Sequence, residues 1–288
     1  MSFAKKARRL RMGLSTVLGL KRQGYFIPYR HAAETPVALP PYRPFEDLFD
    51  RSRPAFREML GWMDRHGEAL AALGQEPPPA PRWKQSWFPR LDGAAAYVLV
   101  RETKPARIVE IGSGHSTRFL ARAAADGGLS TAITAIDPAP RADISALPSV
   151  RAIRATVQDA GLEPFRDLGS GDVLFIDSSH IAMPGTDVDF LFGRVIPALP
   201  AGVLVHIHDI CLPDDYVRPW RWRAYNEQAL AGALMAGGGF QPVFASRYVA
   251  TRMSKDLAAS AAARLPLPDD ALETSLWLRK TAAAIGGL

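Results

Sequence analysis

From Arg107 onward the chain alternates short apolar runs with longer stretches whose apolar residues recur every three to four positions. Runs of four to six apolar residues bounded by Gly, Pro or Asp are the mark of strands buried on both faces, and the longer period is the mark of helix. Strands are therefore predicted at 107–111, 132–136, 150–155, 172–176 and 203–207, with late strands at 241–244 and 275–278. Helices are predicted between them at 117–125, 188–198 and 225–236, and one at 94–101 ahead of the first strand. Such alternation implies an α/β fold, a doubly wound and mostly parallel seven-stranded sheet covered on both faces. No convincing crossover follows Phe240, so the late pair is expected to form an antiparallel edge.

Upstream, Phe49, Phe56, Leu60, Trp62, Met63 and Leu70 keep helical spacing and predict one or two helices over 45–73. The stiff stretch GQEPPPAPRW, 74–83, is the best boundary, dividing a helical N-terminal extension, 1–80, from a main domain, 81–288. At the head of the chain Phe3, Ala7, Leu10, Leu14 and Val17 fall on one side of a helix, with the bases mostly elsewhere. The segment GYFIPYRHA that follows predicts an ordered extended stretch packed on something.

Charge changes the picture of that arm. Eight Lys or Arg residues and no acid lie within residues 1–33, leaving 27 bases against 29 acids in the rest of the chain. The net charge of +6 is thus a property of the arm. A basic amphipathic helix can lie on an anionic membrane or nucleic acid, or it can dock on its own domain. Arg11 interrupts the apolar region too early for a secretory signal, and no apolar run approaches the roughly 18 residues of a membrane span. The expected location is cytoplasmic, with peripheral membrane contact through residues 1–33 as an addition. A single cysteine, Cys211, excludes an intramolecular disulfide and a Cys-rich zinc module.

Candidate chemistry begins at EIGSGHST, 110–117, where a strand turns into a helix N-terminus through Gly112 and Gly114. Glycines there let backbone approach a ligand, and the helix start offers free N–H groups. A third glycine is missing from the dinucleotide fingerprint, and no Lys completes a P-loop. Glu110 beside the turn would repel a phosphate and suits a ligand with a cation or hydroxyls. Asp137 ends the second strand, where a carboxylate can accept from both ribose hydroxyls. Ribose and adenine recognition without a pyrophosphate grip points to S-adenosylmethionine (SAM).

Together WFPRLDGAAAYVLVRETKPARIVEIGSGHST, AIDPAP, FIDSSH and VHIHDICLPDDYVRPW carry a resemblance spanning roughly 83–244. The chain resembles a class I SAM-dependent methyltransferase. It is similar to the bacterial group that shares a fold with the macrocin and rhamnosyl O-methyltransferases and the so-called cephalosporin hydroxylases. The resemblance implies a Rossmann-like fold, with Glu110, Gly112 and Gly114 at the methionine end of SAM; the adjoining Ser116 is a further candidate for the cofactor site. It further implies Asp137 on the ribose and Asp159 near the adenine. Mg²⁺ or another divalent metal, held by acids at strand ends, is also implied by related sugar O-methyltransferases; Asp177 and Asp209 are the matching acids.

Two further strand ends carry unusual polar residues, Asp177 with His180 and, on the fifth strand, His206 and His208 with Asp209. Neighbouring parallel strands lie about 4.8 Å apart, so such residues can converge. His180 or His208, with an ordinary pKa near 6.5, could accept a hydroxyl proton. A divalent cation on Asp177 and Asp209 could instead lower the acceptor's pKa. The aromatic stretch 214–225 suits a loop over a sugar or aromatic acceptor, or one that packs on the N-terminal helices. The expected function is SAM-dependent methylation, on oxygen of a small-molecule or glycan-type acceptor. Two alternatives stand beside it. One is an iron(II) oxygenase using Asp177, His180 and His208 as a facial triad. The other is a SAM-binding module recruited to membrane by the arm. Nucleic acid is an unlikely substrate, because the main domain lacks a basic surplus.

Overall fold

The computed structural model describes residues 3–36 and 38–288; Met1, Ser2 and Val37 of the N-terminal extension lie outside the described residues. In chain order the helices ahead of the sheet are α1 (Phe3–Val17), α2 (Arg43–Arg65), α3 (Gly67–Ala72) and α4 (Arg90–Thr103). Then come β1 (Arg107–Ile111), α5 (His115–Asp126), β2 (Ala132–Ile136), β3 (Val150–Ile153), α6 (Val157–Ala160) and β4 (Val173–Ile176). A helical passage follows, α7 (Asp187–Phe190) running through a π-helical stretch at Leu191–Val195 into α8 (Ile196–Ala198). The chain closes with β5 (Leu204–Ile207), α9 (Glu227–Ala236), β6 (Phe240–Ala245), α10 (Ser246–Arg252), α11 (Ser254–Ala259) and β7 (Leu276–Lys280).

All seven strands form one sheet in the order β3-β2-β1-β4-β5-β7-β6. The first five are parallel, and β7 runs antiparallel between β5 and β6. The order reverses between β1 and β4, the place where doubly wound sheets bind ligands. The late pair is antiparallel as expected, and α10 and α11 supply the connection that the sequence pattern did not reveal.

Why β1, β4 and β5 are strands follows from their burial: nearly every residue in them is shielded on both faces, and β-branched side chains fit that setting. Helix α4 is buried on almost all sides, from Leu91 to Val100. Gly93 and the three alanines after it allow this, since a β-carbon at Gly93 would meet the rings of Phe119 and Trp83 at 2.9–3.0 Å. The helix starts at Arg90, a turn earlier than its periodicity predicts. Asp92 in that first turn accepts the backbone N–H groups of Thr274 and Ser275, fixing the entry to β7. Helix α2 packs on α4 and β6, and Phe49 and Phe56 meet Phe244 and Tyr248 edge to face.

The N-terminal arm departs from expectation. Tyr25, Phe26, Ile27 and Tyr29 are exposed rather than packed on the domain, and Arg22 lies over the Tyr25 ring at 4.6 Å. No helix among the described residues is long and apolar enough to cross a membrane.

Candidate active site

Parallel register lines up Ile136, Ile111, Ile176 and Ile207 across β2, β1, β4 and β5. One residue further on each strand stand Asp137, Gly112, Asp177 and His208. The ladder continues through this row. Gly112 N–H donates to Ile136 O at 3.0 Å, Asp177 N–H to Ile111 O at 2.8 Å, and His208 N–H to Ile176 O at 2.9 Å. Four chemically distinct groups, far apart in sequence, therefore share one edge of the sheet.

Gly112 has φ +78°, and a β-carbon there would land on the carbonyl oxygen of Asp177, so only glycine fits. The backbone at this turn borders a cavity of about 410 Å³, within the range usual for small-ligand sites. Ser113, Asp137, Arg141, Gln158, Asp177 and Ser178 are among its lining. Asp137 is anchored from behind: it accepts the Ser113 N–H and the Ala139 N–H, both at 2.7 Å. Gln158 donates its side-chain N–H to Gly185 O at 2.9 Å, joining the loop after β3 to the loop after β4.

Behind Asp177 lies a buried ionic cluster. His180, at φ +61°, points Nδ1 at Glu227 Oε2, 2.9 Å away, and Nε2 between Asp177 Oδ1 and Asp209 Oδ2, each 3.4 Å away. Ser178 Oγ donates to the other oxygen of Glu227 at 3.0 Å. Asp209 also has φ +55°, which bends the chain so that His208 and Asp209 face the same cluster rather than opposite sides of a strand. His208 Nε2 lies 3.1 Å from Trp87 O. Arg223 reaches Asp209 at 3.7 Å and is stacked over Trp220, with Tyr225 beside it. Burial opposes charge on His180, but its bonds to Asp177 and Glu227 and the nearby Asp209 outweigh it and hold the ring well above the usual histidine range. Burial likewise opposes charge on His208, and Asp209, Asp177 and Asp92 raise it. Asp177 is pushed up by burial, yet its His180 hydrogen bond and the charges of His208, His180 and Arg141 bring it well below the carboxylate range.

These positions revise the expected roles. A general base must begin without its proton; carboxylates hold His180 as the cation and shift His208 in the same direction, which disfavours both as that base. Glu110 does not line the cavity; it is fully buried, and Ser116 Oγ and Thr117 Oγ1 donate to its two oxygens at 2.6 Å each. Burial pushes its carboxyl up to about 8. Ser116 is thereby turned away from the cavity, and Gly114 packs against Ala142 and Arg141. Asp159 accepts the Thr156 hydroxyl at 2.8 Å in the cap of α6 while its neighbour Gln158 lines the cavity. The space between Asp177 and Asp209 is taken by the His180 ring, and no group of three or more His, Cys, Asp or Glu among the described residues is arranged to hold a metal. A resident divalent metal does not fit this donor set, and His180, with both nitrogens engaged by carboxylates, is not free to serve in an iron triad. Glu227 was missed in the sequence, because an acid in the first turn of a helix is ordinary complement to the helix dipole. Trp87 and Arg141, stacked at 4.6 Å beside the cavity, were also missed as site residues, although Trp87 opens the first of the segments that carry the resemblance.

Comparison with known proteins bears on the same region. Residues 109–210, about a third of the chain, match a family model described as a methyltransferase domain. No curated protein matches. Among solved structures, the chain is similar to the methyltransferase PaMTH1 of Podospora anserina with bound S-adenosylhomocysteine (SAH), at 17% identity, covering 90% of this chain and 100% of that one, TM-score 0.43. It is also similar to CmcI, described with Mg and SAM, at 15% identity, covering 75% of this chain and 84% of that one, TM-score 0.39. The matched segment holds β1 to β5, the glycine turn and the row from Asp137 to His208, so the residues that line the cavity fall within the part of the chain that is similar to a methyltransferase domain.

Proposed function

We propose that the enzyme methylates a hydroxyl oxygen of a small acceptor, sugar or aromatic, with Asp177 as the group that meets that hydroxyl. The observation that carries this reading is the position of Asp177, shared between the cavity and the buried cluster and with its side chain 22% exposed. SAM fits the cavity on this chain's own terms. Gly112 opens a cradle that any side chain would close, Ser113 and Asp137 stand where a ribose needs acceptors, and Gln158 with Val157 borders the adenine position. When bound, SAM supplies an electrophilic methyl on a sulfonium, which leaves the protein to align the acceptor and take its proton.

Asp177 is ionised at neutral pH and accepts the acceptor's O–H hydrogen bond, turning a lone pair toward the methyl. His180, clamped by Glu227 on one side, fixes the Asp177 carboxylate through its other nitrogen. Trp87, exposed and stacked on Arg141 of the cavity lining, and Trp222 and Tyr225 above the cluster suit stacking on a planar or sugar ring.

Calorimetric titration with SAH tests the cofactor half of this assignment. Replacing Asp137 by Ala removes a charge-assisted hydrogen bond to the ribose, at about 1.5–3 kcal/mol, so affinity should fall by roughly ten- to 150-fold. Unchanged affinity would remove Asp137 from the site. The acceptor half is tested by SAH release on a panel of glycosides and phenols, where Asp177→Asn should lower turnover and leave SAH affinity nearly intact.

A further inference from the structure

Helix α1 presents an apolar stripe that nothing among the described residues covers. Phe3, Leu10, Leu14 and Val17 lie along one side and are 87%, 64%, 52% and 60% exposed, and Leu18 and Leu20 extend the patch. Phe26, Ile27 and Tyr29 add a second exposed apolar group after the helix. A helix with this pattern ordinarily buries its stripe against its own protein. On its other sides α1 carries Lys6, Arg8, Arg9 and Arg11, and Lys21, Arg22 and Arg30 follow before the first acid, Glu34.

We propose that residues 3–33 dock on an anionic lipid surface, α1 lying flat in the interface with its apolar stripe among the acyl chains and its bases at the headgroups. The charge is complementary to such a surface and to little else on this molecule: 27 bases face 29 acids in the rest of the chain. Long basic side chains flanking the stripe can lay their methylenes along it and keep their charges in the headgroup layer. Nucleic acid would answer the charge but leave Phe3, Leu10, Leu14, Phe26 and Ile27 in water, whereas a lipid interface takes up both. The helix is too polar to span the bilayer, so the contact is peripheral. The arm joins the body at Tyr42, whose N–H donates to Pro213 O at 2.7 Å, so it is rooted at the start of the loop that covers the ionic cluster. This inference does not depend on which acceptor the enzyme uses.

Sedimentation of the full chain with vesicles tests it, comparing phosphatidylcholine alone with equal parts phosphatidylcholine and phosphatidylglycerol. Binding to the anionic vesicles should be at least about tenfold stronger and should weaken as salt is raised. The triple change Arg8→Glu, Arg9→Glu, Arg11→Glu and the pair Leu10→Asp, Leu14→Asp should each cut that binding by about tenfold or more, with Tm and SAH affinity unchanged. Absence of binding to anionic vesicles overturns the proposal, as does binding indifferent to the leucine changes. A fall in Tm in the leucine variant would show that the stripe docks on the body instead. Homopolymeric RNA that displaces the vesicles would point to nucleic acid.

Discussion

Replacing Glu110 by Gln is the sharpest test of how the site is built, because it separates the buttress of the glycine turn from the ligand-binding surface. Glu110 is fully buried under the first turn of α5, and burial is the chief reason its carboxyl is pushed up from the ordinary 4.5 to about 8. The hydroxyls of Ser116 and Thr117 pull the other way, while Asp177 and Asp137 push it further up. Below pH 4.5 the side chain is neutral in both folded and unfolded chains and costs nothing. As pH rises from there to about 8 the unfolded chain releases the proton and the folded one keeps it, so stability falls by up to about 1.4 kcal/mol per pH unit. Over that interval the loss is on the order of 4–5 kcal/mol, and it levels off above pH 8. Gln cannot ionise, and its amide can present an acceptor oxygen to one hydroxyl and an N–H donor to the other, as a protonated carboxyl would. Urea unfolding at pH 5, 6, 7 and 8 should show the variant gaining on the wild type at each step. Its SAH affinity should stay within about threefold, since Glu110 lies outside the cavity lining. Parallel stability curves for the two proteins would refute the buried, proton-holding Glu110. A variant of normal stability that no longer binds SAH would return Glu110 to the binding surface.

Two further changes probe the row of strand-end residues. Gly112→Ala places a β-carbon on the Asp177 carbonyl in addition to holding alanine at φ +78°, whereas Gly161→Ala at φ +70° meets nothing within 4 Å. Thermal unfolding should show about 1–3 kcal/mol lost at Gly161 and a larger loss at Gly112, where the clash adds to the strain, with SAH binding impaired only in the second. Equal losses would mean the turn relaxes freely. Glu227→Ala strips a buried imidazolium of a hydrogen-bonded carboxylate, and unfolding by urea should register about 3–5 kcal/mol of lost stability. The titration of His180, followed by NMR, should also move toward the ordinary histidine range; a curve left in place would detach Glu227 from His180.

Much of the sheet could be read in advance because its strands are local events: β1 and β2 occupy the predicted spans, each an apolar run stopped by a turn residue. The convergence of Asp137, Gly112, Asp177 and His208 was legible for the same reason, since in a parallel sheet equal positions past equal runs come to one edge. The place of β7 between β5 and β6 was not, as only long-range pairing decides it. Helices α10 and α11 were missed because Ser, Arg, Thr and Lys break their apolar period into short pieces. Burial is what the sequence could not report. Glu110 looked like a ligand contact from its place beside the glycines, and packing turned it inward. Asp159 looked free from its place after β3, and a cap took it. Glu227 looked like a surface acid, and the fold of the 178–180 loop brought His180 onto it.

The charge balance of that cluster bears on the proposed reaction. Asp177, Asp209 and Glu227 stand against His180 and Arg223, with His208 beside them, so most of the cluster's charge is balanced before SAM enters. SAM brings one positive charge on sulfur. When the methyl passes to a hydroxyl oxygen, the carbon–sulfur bond breaks, the sulfur becomes a neutral thioether, and the acceptor's O–H releases one proton. A proton held only briefly at Asp177 while the methyl moves would replace the charge lost from sulfur, and the buried groups behind it would see little change in total charge. Low-dielectric surroundings make that conservation valuable, because a net charge created there would have no water to solvate it. The depressed pKa of Asp177 then favours passing the proton on to solvent through the cavity mouth once SAH leaves. Held as a cation on the far side of Asp177, His180 keeps its carboxylate ready for the next acceptor.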